Sequence, residues 1–478
     1  MKNNFSNDRI LNLFEKVAAI PHGSGNMTDI SNFIVNFAKE NNLRYIKDDA
    51  QNVIVYKDAT EGYENAEPVI LQGHLDMVCQ KTADSNFDFE KDGLELYIDG
   101  DFLKAKNTTL GADNGIAVAM ILSVLERDDI SHPQIEAVFT TDEEIGMIGA
   151  SRLDFSCLKS KKMINLDSEE DHVITVSCAG GSDFKAYLPI SYENVKGTKI
   201  EVTLKGLLGG HSGVEIDKGR INANRLAGRL LTSLSEVAEF DIVSINGGDK
   251  ANAIPNLCKI EICTENKEKL TEICQNYLSE IKNEISSRES GFDWCVETGD
   301  FGNYNVFSKQ LKNDVIYALT VSPNGILQMS AEIENLVETS LNLGILKTCE
   351  GKIFFHYALR SNKASALKFL DKKMELFFSK INCETESSGY YPPWEYKNDS
   401  TLRDVYLSAY IEKFGKEPKI EAIHAGLECS VFASRIKDLD CIAVGPTVYD
   451  VHTVNERMSI SSTHNIYELL IDVLRKSL

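Results

Sequence analysis

The sequence predicts an α/β fold, a sheet covered by helices on both faces, interrupted by an inserted α+β domain. Short apolar runs alternate with helix-spaced segments up to about Gly180. The rhythm then changes to strand–helix–strand–strand–helix–strand rounds, and the first pattern returns beyond residue 391. The boundaries expected from these changes are residues 1–180 and 392–478 for the two parts of one discontinuous domain, and 181–391 for the inserted one. At 478 residues the chain is also too long for one ordinary core.

In the first section, Ile10 to Ala19 and Ile30 to Asn41 carry apolar residues at helical spacing. NVIVY (52–56), PVILQG (68–73), IEAVFTT (135–141) and KMINLD (162–167) are short and apolar, as strands covered on both faces are. Between them, IAVAMILSVL supplies the apolar face of a helix from Asn114 to Arg127. After Gly180, KIEVTLKG (199–206) reads as a strand and Gly219 to Phe240 as a long helix. IVSINGG and CKIEIC are the next strands, Lys267 to Ser286 a helix, and FDWCVET (292–298) a strand. A second round has a helix near Phe307–Leu319, strands near Glu338–Cys349 and Lys352–Arg360, a helix at Ala364–Ile381, and then CETESS. Two such rounds predict two ferredoxin-like units, although no internal sequence repeat accompanies them. SGYYPPWEY (388–396) is a connector with two prolines; a helix at Leu402–Phe414, a strand in LDCIAVGP (439–446) and a last helix from Asn465 complete the first domain.

Composition narrows the function. With 50 basic and 72 acidic residues the formal net charge is -22, a surface that repels phosphate backbones and anionic membranes. Nucleic-acid binding and membrane attachment are therefore not expected. The N-terminal MKNNFSNDRILNLF lacks a signal-peptide pattern, and no apolar stretch approaches a membrane span. Eleven cysteines lie between Cys79 and Cys441 without a CxxC pair, as in a reduced, cytoplasmic protein. Cys79, close to His74, reads as packing rather than as a nucleophile.

Acidic residues and histidines recur at the ends of the apolar runs. His74 and Asp76 follow Val69-Ile70-Leu71, Asp113 sits in LGADNG, Glu143 and Glu144 close IEAVFTTDEE, Asp167 closes MINLDSEE, and His452 stands in GPTVYDVHTVNE. Each has an ordinary explanation taken singly: TDEE as a helix N-terminus, LGADNG as a turn, His452 as a surface histidine. Five such signals at strand ends favour a metal site on the rim of a sheet, because buried carboxylates must be paired or coordinated. His74, Asp113, Glu144, Asp167 and His452 supply two imidazoles and three carboxylates, donors suited to zinc, cobalt or manganese. If Asp113 bridges, two ions about 3.5–4 Å apart each keep two further protein ligands, with room for a shared water. Asp76, two residues along extended chain from His74, is placed to orient its imidazole, and Glu143 to act as general base.

GHLDMV, LGADNGIA, TTDEEIGMIGA, NLDSEE, GLLGGHSG and the late His452 resemble the motifs of the M20 metallopeptidases. LGADNG, GGHSGVEID, ANAIPN and HAGLEC resemble the aminoacyl-histidine dipeptidase branch, and the likeness spans nearly the whole chain. The resemblance implies a di-zinc, sheet-and-helix catalytic domain with an inserted lid. It implies the five ligands above with Asp113 bridging, Asp76 as the orienting carboxylate and Glu143 as base; none of these seven positions departs from the pattern. It further implies that His211, in GGHSG, polarises the scissile carbonyl, and that Asn252, Arg360 and Gly426 contact the substrate.

The activity implied is hydrolysis of dipeptides, Xaa-His among them. An N-acyl amino acid amidohydrolase on the same scaffold, or a non-catalytic binding protein, are the alternatives. In smaller dimeric relatives the lid histidine serves the neighbour's site. A homodimer is thus one arrangement, and a large lid serving its own chain the other.

Overall fold

Four adjacent parallel strands organise the first part of the fold: Ile135–Thr140, Val69–His74, Lys162–Asn165 and Asp440–Ala443. They are the centre of an eight-stranded sheet ordered Arg44–Lys47, Val53–Lys57, Ile135–Thr140, Val69–His74, Lys162–Asn165, Asp440–Ala443, Val173–Cys178, Lys419–Ile423. Every residue of Val53–Lys57, Val69–His74 and Ile135–Thr140 is buried, so both faces of the sheet are covered. The helix Ala112–Glu126 is buried on all sides from Asn114 to Leu125, which a stretch apolar from Ile116 to Leu125 save for Ser123 allows. This computed structural model describes residue 5 and residues 7–477.

The chain forms two compact units, one from Met1–Cys178, Tyr396–Ala422 and Leu427–Leu478, the other from Ala179–Glu395 and Ile423–Gly426. The second is built on one nine-stranded antiparallel sheet with its own apolar core. Two ferredoxin-like units are legible in it. Tyr192–Lys205, the helix Ala223–Val237, Asp241–Gly247, Cys258–Thr264, the helix Lys267–Ile285 and Asp293–Phe307 form the first. The other uses the helix Lys309–Val321, Val337–Cys349, Lys352–Ser361, the helix Ala364–Phe378 and Glu384–Tyr391. Its first strand is Gly180–Pro189, before the whole of the other unit in sequence, and was not legible as a strand. The two halves join where Gly247 pairs with Leu346.

Several elements are longer than their local signals. FDWCVET continues to Phe307 because Asp293–Phe307 pairs along Tyr192–Lys205, through Gly299 and Gly302. The last helix begins at Ile460, where the Ser459 hydroxyl caps it by accepting from the Ser462 amide. The cysteines are all free, and burial pushes the Cys79 thiol up to about 11, which keeps it protonated. Among the described residues no helix is long and apolar enough to cross a membrane.

Candidate metal centre

The parallel strands deliver their chemistry at one edge. His74 ends its strand, Glu143 and Glu144 follow Thr140, and Asp167 follows Asn165, all at C-terminal strand ends where open α/β sheets hold ligands. Asp113 precedes the regular helix, since its own ψ of 103° is not helical. The turn before it needs Gly111: φ is 67°, and a Cβ there would meet Met77 Sδ at 2.7 Å. His452 lies in the turn after Val448–Tyr449, also with positive φ, at 62°.

These side chains converge. Asp113 Oδ1 is 3.0 Å from His74 Nε2, and its Oδ2 is 3.0 Å from His452 Nε2. Glu144 Oε1 is 2.9 Å from the same His452 nitrogen, and Asp167 Oδ1 is 3.6 Å from His74 Nε2. Two ligand sets able to hold a metal ion therefore share Asp113: His74, Asp113 and Asp167, and Asp113, Glu144 and His452. A third set joins His74 to Glu143 and Glu144.

Electrostatics fit cations here. Among the described residues Asp113, Glu144 and Asp167 have only the two histidines as ion-pair partners. Burial and the neighbouring carboxylates Asp167, Glu428 and Glu144 push Glu143 well above the usual range, against the pull of His74. Asp167 rises to about 6, chiefly through burial. Hydrogen bonds to Asp113 and Glu144 carry His452 up to about 11. Carboxylates outnumbering their counter-charges, with nitrogen and oxygen donors pointing inward, match a hard or borderline divalent ion.

Asp76 contacts both His74 and the Glu143–Glu144 turn. His74 Nδ1 donates to the Asp76 backbone carbonyl at 2.9 Å, whereas the Asp76 carboxylate is 3.5 Å away. That carboxylate accepts from the amides of Glu143 (2.9 Å) and Glu144 (3.2 Å) and from the Ser24 hydroxyl (2.8 Å). Asp76 thus meets the histidine through its backbone carbonyl and, at 3.5 Å, its carboxylate, and holds the Glu143 and Glu144 amides through that same carboxylate.

Beneath the centre lies a buried polar network the motifs did not disclose. Asn165 donates to Gln72 at 2.6 Å, and Gln72 and Thr140 both donate to Glu428 Oε2, at 2.5 and 2.6 Å. Asn114 donates to Asp167 Oδ1 at 2.6 Å. Glu428 stands in the HAGLEC segment and Glu456 in HTVNE, so position beside a motif was the one available signal; Ser24 had none.

Four further sequence-identified residues belong to the second unit. His211 pairs with Ala253 across a short ladder, and the Ser212 amide donates to the Asn252 carbonyl at 2.9 Å. Gly213 is the crowded centre of this group. A Cβ there would lie 2.5 Å from the His424 carbonyl oxygen, 2.9 Å from His211 Cε1 and 3.1 Å from Arg360 Nε. Gly426 closes the Ile423–Gly426 segment that carries His424. Arg360 is buried, donates to the Tyr391 hydroxyl at 2.9 Å, and among the described residues its Nε has no hydrogen-bond partner. Burial and the Arg360 charge lower the His211 pKa, and its Nδ1 accepts from the Gly213 and Val214 amides, both at 3.2 Å. The ring is therefore neutral with its proton on Nε2.

Known proteins resemble this chain along nearly its whole length. The chain is 35% identical over 468 residues to the cytosol non-specific dipeptidase of Escherichia coli K12, covering 97% of this chain and 96% of that one. The crystal structure of aminoacylhistidine dipeptidase from Vibrio alginolyticus matches with a TM-score of 0.91 at 35% identity, over 98% of this chain and 96% of that one. Aminopeptidase PepT from Bacillus cereus, at 15% identity and a TM-score of 0.57 over 98% of both chains, shares the fold. The profile of peptidase family M20/M25/M40 matches residues 70–476. The chain belongs to that family of peptide hydrolases, which implies divalent metal ions.

Proposed function

We propose that this protein hydrolyses dipeptides, Xaa-His among them, in the cytoplasm. The observation that carries the reading is the pair of ligand sets sharing Asp113, beside the half-buried Glu143. Near-full-length identity of 35% to a dipeptidase supports the substrate class. His74, Asp113, Glu144, Asp167 and His452 would hold two divalent ions, zinc or alternatively cobalt or manganese, with Asp113 bridging. That bridging role is supported by its two oxygens facing different histidines. When bound, the metals supply Lewis-acid polarisation of the peptide carbonyl and lower the pKa of the attacking water.

Glu143 takes the proton of that water on its carboxylate and passes it to the leaving amine. Asp76 holds the Glu143 backbone in place while it does so. The inserted domain acts as the lid and carries four substrate contacts. His211 donates its Nε2 proton to the developing oxyanion, a role its neutral tautomer supports. Arg360, with a buried unpartnered donor, takes the substrate carboxylate, with Asn252 and the Gly426 backbone beside it.

The test is turnover of a Xaa-His dipeptide panel and of N-acetyl amino acids by zinc- or manganese-loaded protein, by chelated protein, and by Glu143→Ala. The expected result is dipeptide cleavage that chelation and the substitution both abolish. Cleavage of acetyl substrates alone would move the function to deacylation, and metal-independent or absent turnover would overturn the reading.

A further inference from the structure

We propose that Glu456 is a positioning residue for the metal centre, setting the gap between Asp113 and His452 by gathering the backbone amides of the Asp113 loop; this rests on the metal reading above. Glu456 is 3% exposed, and its carboxylate is surrounded by main-chain donors. Oε2 accepts from Leu110 at 2.8 Å and Gly111 at 3.1 Å. Oε1 accepts from Ala112 at 2.8 Å and, more weakly, from Asp113 at 3.4 Å. Four successive amides around one carboxylate form an anion nest supplied from within the chain.

The other end of Glu456 is tied to His452. Its own amide donates to the Thr453 carbonyl at 3.2 Å, closing the turn that directly follows His452. Thr453 Oγ1 donates in turn to the Asp450 carbonyl at 2.7 Å. One side chain thus joins the loop of Asp113 to the loop of His452, groups 339 residues apart in sequence whose ligand atoms are 3.0 Å apart.

The charge matters as much as the reach. Unoccupied, the four N–H dipoles would set partial positive charge beside the cation site. Glu456 absorbs those donors and adds a negative charge of its own. Replacing it by glutamine keeps the shape but turns an N–H₂ group against N–H donors, so the Leu110–Asp113 loop must turn away and carry the Asp113 carboxylate with it. Outer residues that orient metal ligands typically govern affinity by about 10–100-fold.

Glu136 is the matched control. It is 1% exposed and also holds main-chain amides, those of Lys159 and Ser160 at 3.0–3.1 Å. It sits near the start of the strand that leads to Glu143, about 13 Å of extended chain before its end.

The experiment is calorimetric titration of metal-stripped full-length protein with Mn²⁺, together with the Tm of each stripped protein. Glu456→Gln should bind 10–100-fold more weakly than wild type. Glu136→Gln should lose thermal stability and keep wild-type affinity. Should E456Q fail to fold, Glu456→Asp, which keeps the charge but ends one methylene short, is expected to show the same weakening. Affinity within twofold of wild type in a folded Glu456 variant, or an equal loss in E136Q, would overturn the assignment and leave the metal reading intact. Absence of Mn²⁺ binding by wild type would instead sink the metal reading, and this inference with it.

Discussion

Adding one methyl group at Gly213 should test the group of the second unit proposed to contact substrate. Its backbone is not left-handed, so alanine introduces no φ strain and the effect is steric. The new Cβ would come 2.5 Å from the His424 carbonyl oxygen, about 0.9 Å inside ordinary van der Waals contact. It would also crowd His211 Cε1 at 2.9 Å and Arg360 Nε at 3.1 Å. The carbonyl belongs to backbone and cannot rotate away, so the turn bearing His211 must move. Overpacking of this kind costs about 1–3 kcal/mol. If the movement displaces His211 and Arg360 from substrate, the cost is borne by the transition state, a loss of roughly 5–150-fold in kcat/KM. The assay is steady-state hydrolysis of a dipeptide by Gly213→Ala, with metal content and Tm measured in parallel. Unchanged metal content with reduced kcat/KM is the expected pattern. A kcat/KM within twofold of wild type would refute the reasoning, because three neighbours would then have shifted without consequence for the reaction.

Two other predictions follow from buried groups. His424 is buried, accepts from or donates to Ser340 and Asn362 at 2.7 and 3.1 Å, and burial followed by the Arg360 charge pushes its pKa down to about 3. Its folded pKa lies below the unfolded value of about 6.5, so the unfolded chain binds the extra proton and stability falls as pH drops from there toward 3. By pH 4.5 this residue alone should cost on the order of 2–3 kcal/mol, visible as a lower urea midpoint, while its imidazole NMR signal stays neutral; titration near pH 6.5 would contradict the burial argument. Ser24→Ala removes one hydrogen bond to the Asp76 carboxylate, worth about 1.5–3 kcal/mol for a charged acceptor. Because Asp76 also holds the Glu143 amide, kcat should fall several-fold with KM nearly unchanged, and a change confined to KM would argue against that link.

The fold was legible where local pattern sufficed. The buried strands at residues 69, 135 and 162 are short apolar runs, and the helix from Ala112 is an apolar block; both read directly from residue type. Gly180–Pro189 was missed because its partners, Lys352–Ser361 and Glu384–Tyr391, lie far along the chain. Its alternation is local, but the reason it is a strand is not. The extension of Asp293–Phe307 was missed for the same cause: glycines that weaken a strand locally are held in place by a long ladder with Tyr192–Lys205.

By itself the sequence determined the kind of chemistry: which carboxylates and imidazoles stand beside apolar runs, and that they are too many to be left unpaired in a core. Strand ends are set by local hydrophobic periodicity, a short-range signal that survives without coordinates. Only the tertiary structure decided how those groups face one another. It gave Asp113 one oxygen toward His74 and the other toward His452, turned the Asp76 side chain to the Glu143 and Glu144 amides, and put Glu456 among the amides of Leu110–Asp113. Those contacts join loops tens to hundreds of residues apart. Their geometry depends on where the strands pair and how the loops meet, which no local spacing records.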